Sequence, residues 1–238
     1  MRRVLVTGGG SGIGRAVARA FADEGCEVTV AGRRMAPLVE TAEGRMECRE
    51  ADVTDEAAVA ALFGAPFDVV VANAGSGTAS RLVDVSLAQW NETMAVNLTG
   101  TFLTFREALR GMGQGGRLIA LASTASLKGG AAIAAYAAAK HGVLGLVRSV
   151  ALEVAKRGIT CNAVCPGYVD TPLTDRTVAA VMERTGLDEA EARARVASGN
   201  PAGRLIDVDE VAAAALFLAS AGASMVNGHA LAVSGGEA

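Results

Sequence analysis

Short apolar, β-branched runs alternate with longer segments of helical periodicity along this chain. Strands that read as nearly continuous apolar runs and alternate with helices are typical of a parallel sheet covered on both faces. We therefore predict an α/β fold with a doubly wound, seven-stranded, mostly parallel sheet. The predicted strands cover 4–6, 27–31, 46–51, 68–72, 117–122, 159–164 and 228–233, and the predicted helices cover 13–24, 36–43, 56–63, 86–111, 134–156 and 207–220.

The alternation continues without a linker, an internal repeat or a charge block, so we expect residues 1–238 to form a single domain. One segment interrupts the pattern: residues 172–205 hold two charged, Ala-rich helical stretches where one short connection would suffice. Long insertions after the carboxyl end of a strand often form lids or binding loops. We interpret 172–205 as a substrate-binding lid, with a solvated helix pair as the alternative.

Charge and cysteine content exclude several classes of protein. Lys and Arg number 22 against 25 Asp and Glu, and the net charge of −3 provides no basic surface for nucleic acid. No uncharged apolar stretch has the length of a membrane span. The four cysteines, Cys26, Cys48, Cys161 and Cys165, have neither paired nor metal-ligand spacing. We expect a cytoplasmic protein with reduced thiols, no metal, and a small-molecule partner rather than a nucleic acid or a membrane.

A glycine-rich turn separates the first strand from the first helix. Its residues are Thr7-Gly8-Gly9-Gly10-Ser11-Gly12-Ile13-Gly14. Glycines let the backbone turn tightly and approach a pyrophosphate without an intervening Cβ, and the helix that follows offers unpaired N–H groups. The context of strand, turn and helix is the one that a dinucleotide site requires. The turn therefore predicts dinucleotide contacts at Gly8, Ser11, Gly12, Ile13 and Gly14.

The second strand ends in two arginines, Arg33 and Arg34. An acidic residue at this distance from the glycines would bind the 2′-hydroxyl of NAD, whereas a guanidinium pairs with the 2′-phosphate of NADP. We therefore predict NADP(H) in preference to NAD(H), with Arg33 as the main phosphate ligand and Arg34 or Arg15 as a helper. The alternative is that both Arg33 and Arg34 are surface charges.

Tyr136 and Lys140 stand four residues apart on one predicted helix face, and Ser123 follows the fifth strand. A phenol is a poor acid or base near pH 7 unless its pKa of about 10 is lowered, which a neighbouring ammonium group can do. Each residue taken alone could be structural. Together with the glycine turn they predict an acid–base site.

With these motifs, the chain resembles the short-chain dehydrogenase/reductase family over essentially its whole length. The resemblance implies a Rossmann fold with Tyr136 as general acid and base and Ser123 as the ligand of the substrate oxygen. It also implies that Lys140 lowers the Tyr136 pKa and binds the nicotinamide ribose, and that Asn97 supports a proton-relay water. The matching residues are the 7–14 turn, Asp52-Val53, Asn73-Ala74-Gly75, Asn97, Ser123, Tyr136, Lys140, Pro166-Gly167 and Thr171.

By the same resemblance, further residues are expected to contact the cofactor. Asp52 and Val53 would lie at the adenine, residues 73–75 near the adenosine ribose, and Val169 and Thr171 at the carboxamide. The full set of expected cofactor contacts is Gly8, Ser11, Gly12, Ile13, Gly14, Arg33, Arg34, Asp52, Val53, Asn73, Ala74, Gly75, Tyr136, Lys140, Pro166, Gly167, Val169 and Thr171. Ala72 and Ser234 depart from the family pattern, which more often has Asn and Asp there.

Residues 160–173 resemble both 3-oxoacyl reductases and 3-hydroxybutyrate dehydrogenases. Because the former commonly use NADP(H), Arg33 favours reduction of a 3-oxoacyl thioester. An NAD-dependent 3-hydroxybutyrate-type dehydrogenase remains open, as does a catalytically silent NADP-binding regulator on the same fold. The Ala-rich helix at about 131–156 could pack against a second copy, and the family is usually dimeric or tetrameric, so we expect a homo-oligomer.

Overall fold

A computed structural model describes all residues from Met1 to Ala238. Its centre is one parallel sheet made of β1 (Arg3–Thr7), β2 (Glu27–Gly32), β3 (Glu47–Glu50), β4 (Val69–Ala72), β5 (Arg117–Leu121), β6 (Thr160–Pro166) and β7 (Ala230–Val233). The strand order is β3-β2-β1-β4-β5-β6-β7, and every neighbouring pair is parallel. The predicted doubly wound, seven-stranded sheet is confirmed, and it is parallel throughout.

Nine α-helices cover the two faces and the carboxyl edge of the sheet. They are α1 (Gly12–Asp23), α2 (Met35–Ala42), α3 (Glu56–Ala61), α4 (Leu87–Met94), α5 (Gly100–Gly111), α6 (Ala134–Val154), α7 (Pro172–Thr185), α8 (Glu189–Ala197) and α9 (Val208–Ala219). No helix has the length and apolar character that crossing a membrane requires.

Side chains of each strand alternate between two hydrophobic cores, as the period of two in a β-strand dictates. In β1, Leu5 packs on the face that holds Phe105 of α5. Its neighbours Val4 and Val6 pack on the opposite face with Phe21 of α1. All of these side chains are buried. Both faces are therefore apolar, which explains why the strands read as continuous apolar runs in the sequence.

The chain changes direction across the sheet between β1 and β4. β1 pairs with β2 on one side and with β4 on the other. In open α/β sheets, ligands bind outside the carboxyl ends of the strands at such a topological switch point. The glycine turn leaves β1 at this position, so the fold predicts a ligand site at this edge of the sheet.

The long helix predicted over 86–111 is interrupted. α4 ends at Met94, a π-helical segment covers Ala95–Thr99, and α5 begins at Gly100. A π segment widens the backbone spiral by one residue, and such segments are frequent at functional sites. The widened turn carries Asn97, which is fully buried.

The 172–205 segment contains α7 and α8, as predicted. These helices share a small apolar cluster formed by Val178, Val181, Ala192 and Val196, separate from the two main cores. Thr171 caps α7, and an ion pair joins Arg193 of α8 to Asp170 before α7. The segment is thus a compact helix pair attached to the carboxyl end of β6.

Candidate active site

The glycine turn forms a cradle whose backbone conformation and close contacts leave no room for side chains at three glycine positions, Gly8, Gly12 and Gly14. Gly8 and Gly12 have φ values of +65° and +50°, in the left-handed region that favours glycine. A Cβ on Gly14 would lie 2.3 Å from the Gly8 carbonyl oxygen. Ser11, the N-cap of α1, makes no side-chain capping bond, which leaves first-turn N–H groups available to an anion. The turn therefore fits a dinucleotide pyrophosphate.

Asn73 holds this turn from the end of β4. Its Nδ2 donates hydrogen bonds to the carbonyl oxygens of Thr7 at 3.0 Å and Gly8 at 3.1 Å. In return, the Thr7 hydroxyl accepts from the backbone N–H of Asn73 at 3.1 Å and of Ala74 at 3.3 Å. The Asn73 amide is thus engaged in shaping the cradle, a support role that no pattern in the sequence indicated.

Arg33 and Asp52 lie at the outer side of the turn, where β2 and β3 end. The Asp52 carboxylate accepts hydrogen bonds from the Thr54 N–H at 2.9 Å and the Thr54 hydroxyl at 2.8 Å. These bonds and the charge of nearby Arg33 hold the pKa of Asp52 below its usual range. Arg33 and Arg34 are both exposed. Arg33 therefore stands beside the residue expected at the adenine.

Arg15 is not free to help Arg33. Its guanidinium donates to the Thr41 hydroxyl at 3.1 Å, to Glu40 at 2.7 Å and to the Gly10 carbonyl at 2.9 Å. These contacts tie the glycine turn to α2. Arg34, the other residue predicted to help Arg33 bind the 2′-phosphate, is exposed and makes no such hydrogen bonds to neighbouring groups.

Tyr136 and Lys140 lie on the first turns of α6, and Ser123 lies just beyond β5. Lys140 is buried, and its Nζ donates a hydrogen bond of 2.7 Å to the Leu121 carbonyl oxygen at the end of β5. The same Nζ lies 5.7 Å from the centre of the Tyr136 ring. The structure thus brings the three predicted side chains to one place, at the carboxyl edge next to the cradle.

Burial dominates the electrostatics of this group. It raises the pKa of the Tyr136 phenol, and the interaction with the Ser123 hydroxyl offsets part of the rise. It also lowers the pKa of Lys140 to about 8. Burial therefore sets the direction of the Tyr136 pKa shift in this arrangement, because desolvation favours the neutral form of both groups. The lowering of this pKa by Lys140 stays a prediction.

The π segment aims Asn97 at the loop after β4. Its Nδ2 donates to the carbonyl oxygens of Ser76 at 2.8 Å and Thr93 at 2.9 Å, and its Oδ1 accepts from the Ser76 N–H at 3.3 Å. A Cβ on Gly75 would lie 2.9 Å from Asn97 Oδ1 and 3.5 Å from Lys140 Nζ. Asn97 Oδ1 and Lys140 Nζ therefore both lie next to Gly75, around the space that a side chain at this position would occupy.

The loop after Gly75 covers the phenol, which the sequence did not indicate. A Cβ on Gly77 would lie 3.0 Å from the Tyr136 ring. Farther along, the Ser80 N–H donates to the Ala132 carbonyl oxygen at 2.7 Å and joins this loop to the one before α6. The only signal in the sequence is the second glycine of Gly75-Ser76-Gly77, and its packing partner is 59 residues away.

The end of β6 reaches the other side of the cradle. The nearest side-chain atom to a Cβ on Gly12 would be Thr171 Cγ2 at 3.2 Å. Val169 is buried in the core next to α9, so any contact it makes with a cofactor comes from its backbone. Pro166 and Gly167 end the strand beside Ser123, where Cys165 is buried near Lys140 and burial raises its pKa to about 11.

Comparison with known proteins agrees with this arrangement. Residues 8–237 match the family model described as enoyl-(acyl carrier protein) reductase. The chain is 37% identical to D-beta-hydroxybutyrate dehydrogenase of Cupriavidus necator over 99% of this chain and 97% of the relative. It is 35% identical to granaticin polyketide synthase putative ketoacyl reductase 1 of Streptomyces violaceoruber, over 98% and 91% of the two chains.

Solved structures give the same assignment. A point variant of actinorhodin polyketide ketoreductase with NADPH superposes with a TM-score of 0.92 at 35% identity, covering 99% of this chain and 97% of that one. The parallel sheet, the glycine cradle and the Ser–Tyr–Lys group define a nucleotide-dependent oxidoreductase. The chain belongs to the short-chain dehydrogenase/reductase family, whose members act on carbonyl and alcohol groups with nicotinamide cofactors.

Proposed function

We propose that this protein is an NADP(H)-dependent reductase of ketones, with 3-oxoacyl thioesters as its substrate class. The observation that carries the proposal is the meeting of Ser123, Tyr136 and Lys140 at the carboxyl edge, beside a cradle that only glycines can form. A carbonyl group held next to Ser123 would stand between a proton donor and the nicotinamide site.

Each side chain has a distinct part in the proposed reaction. A bound nicotinamide cofactor supplies the hydride in reduction and accepts it in oxidation. Tyr136 donates the proton to the carbonyl oxygen, and Ser123 holds that oxygen by a hydrogen bond. Because burial raises the pKa of Tyr136, its hydroxyl is kept protonated, which suits the reductive direction. In oxidation, the positive charge of the oxidised nicotinamide and of Lys140 would favour the phenolate.

Lys140 and Asn97 position rather than react. The ammonium group of Lys140 is fixed by the Leu121 carbonyl and lies beside Gly75, where it would bind the nicotinamide ribose. Asn97 fixes the loop at Ser76 through two hydrogen bonds, and its third bond goes to the Thr93 carbonyl oxygen on α4. Its side chain lies so close to Gly75 that a Cβ there would not fit. A water molecule held next to Asn97 would complete a path for the proton from solvent to Tyr136.

The preference for NADP(H) rests on Arg33. It is exposed at the end of β2, next to Asp52, and no acidic residue follows the strand there. A 2′-phosphate would pair with its guanidinium by charge-assisted hydrogen bonds worth roughly 1.5–3 kcal/mol each. A relative of the same fold is known with NADPH, which supports the choice.

Comparing Arg33→Ala with wild type on both cofactors tests this part. We expect the variant to lose at least about tenfold in kcat/KM for NADPH, the equivalent of one such bond, and to keep its kcat/KM for NADH. Arg110→Ala, which removes an exposed arginine at the far end of α5, is the matched control. Equal use of NADH and NADPH by the wild type, unaffected by Arg33→Ala, would refute the preference.

A second candidate substrate class is the 3-hydroxybutyrate type with NAD(H). The 37% identity to D-beta-hydroxybutyrate dehydrogenase favours it. A panel of an acetoacetyl thioester, free 3-hydroxybutyrate and simple ketones, each with both cofactors, separates the two. Oxidation of NADPH by a ketone or thioester of the panel, or reduction of the oxidised cofactor by 3-hydroxybutyrate, would also exclude a catalytically silent regulator.

Residues 172–205 are proposed to form the substrate lid. The segment follows β6 after the short connection 167–171, and Thr171 at the end of this connection lies beside Gly12 of the glycine cradle. Its own apolar cluster would let the helix pair move as a unit, and Arg193 of α8 ties the pair to its base through ion pairs with Asp170 and Asp175. Substrate selectivity would then reside in the same domain as the cofactor site.

We also propose a homo-oligomer. Leu152 on α6 is 82% exposed and Phe102 on α5 is 41% exposed, so both helices present apolar side chains outward. A second copy would cover them. Sedimentation that finds only monomer at micromolar concentration would contradict this proposal.

A further inference from the structure

The segment 234–238 folds back against the carboxyl ends of β5 and β6. Ser234 is buried, and its hydroxyl donates to the Ala238 carbonyl at 3.2 Å and accepts from the Ala238 N–H at 3.3 Å. The Glu237 N–H donates to the Ser234 carbonyl at 3.2 Å. This short loop, formed where the family more often has Asp in place of Ser234, turns the Glu237 side chain inward, so that it is only 12% exposed.

The Glu237 carboxylate lies between the ends of β5 and β6. Its Oε1 accepts from the Thr124 hydroxyl at 3.4 Å and pairs with Lys128 Nζ at 3.1 Å. Its Oε2 would lie 2.5 Å from a Cβ on Gly167. Thr124 follows Ser123 in the chain, and consecutive Cα atoms are about 3.8 Å apart, so the carboxylate stands within about 12 Å of the Ser123 hydroxyl.

The two oxygens of Glu237 differ in their partners. Oε1 faces the ammonium group of Lys128, which also donates to the Glu237 carbonyl at 3.0 Å. Oε2 is buried and accepts no hydrogen bond from any protein group. The negative charge is therefore compensated on the Lys128 side and uncompensated on the Gly167 side. The nearby cation, Lys128, already binds Glu237 through Oε1 and the carbonyl oxygen.

We propose that Glu237 is a specificity-determining residue that excludes ketones bearing a carboxylate and admits neutral ones. This inference rests on the proposed function and deepens it, because a 3-oxoacyl thioester is neutral around its ketone whereas acetoacetate and 3-hydroxybutyrate are anions. Two negative charges within about 12 Å of each other repel appreciably in a protein environment whose dielectric constant is below that of water. Exclusion acts on binding of the ground state, so it raises the KM of the acid.

Lys128 and Glu237 act in opposite directions on the same substrate charge. Removing the Glu237 charge leaves Lys128 free to receive a substrate carboxylate. Removing the Lys128 charge instead leaves Glu237 uncompensated on both sides. The two substitutions therefore shift the preference between acid and ester in opposite senses, which loosening of the segment 234–238 alone would not do.

The experiment compares acetoacetate with its neutral methyl ester, using NADPH. The measured quantity is the ratio of kcat/KM for the ester to kcat/KM for the acid. We expect Glu237→Gln to lower this ratio by roughly threefold to tenfold and Lys128→Met to raise it. Glu153→Gln makes the same charge change on the exposed face of α6, about 25 Å along the helix from Tyr136, and serves as control.

Calorimetric titration of the NADP⁺-loaded protein with each compound gives a second readout that does not require turnover. An ester-to-acid ratio that is the same in wild type and Glu237→Gln, in kinetics and in binding, overturns the inference. Failure of the wild type to reduce either compound with either cofactor would instead overturn the proposed function, and the binding ratio would still decide the role of Glu237.

Discussion

Replacing Asn73 by Ala removes both side-chain donors that hold the glycine turn against β4. The two bonds, of 3.0 and 3.1 Å to the Thr7 and Gly8 carbonyl oxygens, have net contributions of about 1 kcal/mol each. We therefore expect the free energy of unfolding to fall by about 2 kcal/mol. For a domain of this size, that corresponds to a Tm lower by about 4–8 °C.

The same substitution should weaken cofactor binding, because the loosened turn must be ordered again when the pyrophosphate binds. Each ~1.4 kcal/mol of free energy needed to order the turn raises the Kd for the cofactor about tenfold. Urea denaturation followed by circular dichroism gives the stability, and NADPH fluorescence gives the Kd. Asn91→Ala, at an exposed position of α4, is the control. If Asn73→Ala unfolds within about 0.5 kcal/mol of wild type and binds NADPH with an unchanged Kd, the support role assigned to Asn73 is wrong.

Two further predictions concern the buried lysine and the lid. Since burial lowers the pKa of Lys140 from 10.5 to about 8, this side chain binds fewer protons in the folded state than in the unfolded state between these values, and it should contribute a rise in stability with pH across this window of up to about 3 kcal/mol. Lys140→Met should lack this rise in urea denaturation at about pH 7.5 and about pH 10, and an identical rise would contradict the assignment. Arg193→Ala breaks the ion pairs to Asp170 and Asp175 and should cost less than about 1 kcal/mol of stability while raising the ketone KM severalfold. Arg184→Ala on α7 is its control, and equal KM values in the two variants would argue against a lid.

The central strands were predictable because they are buried on both faces, unlike β3, whose residues Glu47–Glu50 are exposed or partly exposed. β1 and β4 are mostly apolar and β6 is buried along its whole length, so their identity does not depend on distant contacts. The glycine turn was equally local, because a strand, the turn and a helix are consecutive in sequence. The same holds for Tyr136 and Lys140, which one turn of α6 brings to the same face.

The features that the sequence did not indicate depend on contacts between distant residues. The π segment at Ala95–Thr99 has the same apolar period as the helices that flank it, and the role of Asn97 emerges only through its bonds to Ser76. Glu237 reaches Thr124 across 113 positions, and no local pattern marks such a contact. The contribution of burial to the Tyr136 pKa was also absent from the sequence analysis, since it depends on how deeply the folded chain encloses the phenol.

The central claim is that Tyr136 supplies the proton while hydride passes directly between nicotinamide and the carbonyl carbon. NADPH deuterated at C4, incubated with methyl acetoacetate and followed by mass spectrometry of the alcohol, tests it directly. We predict that wild type transfers deuterium to the carbinol carbon and that Tyr136→Phe, which keeps the ring against Gly77, does so at least about 100-fold more slowly. An alcohol without deuterium, or a Tyr136→Phe variant with near-normal turnover, would contradict the mechanism.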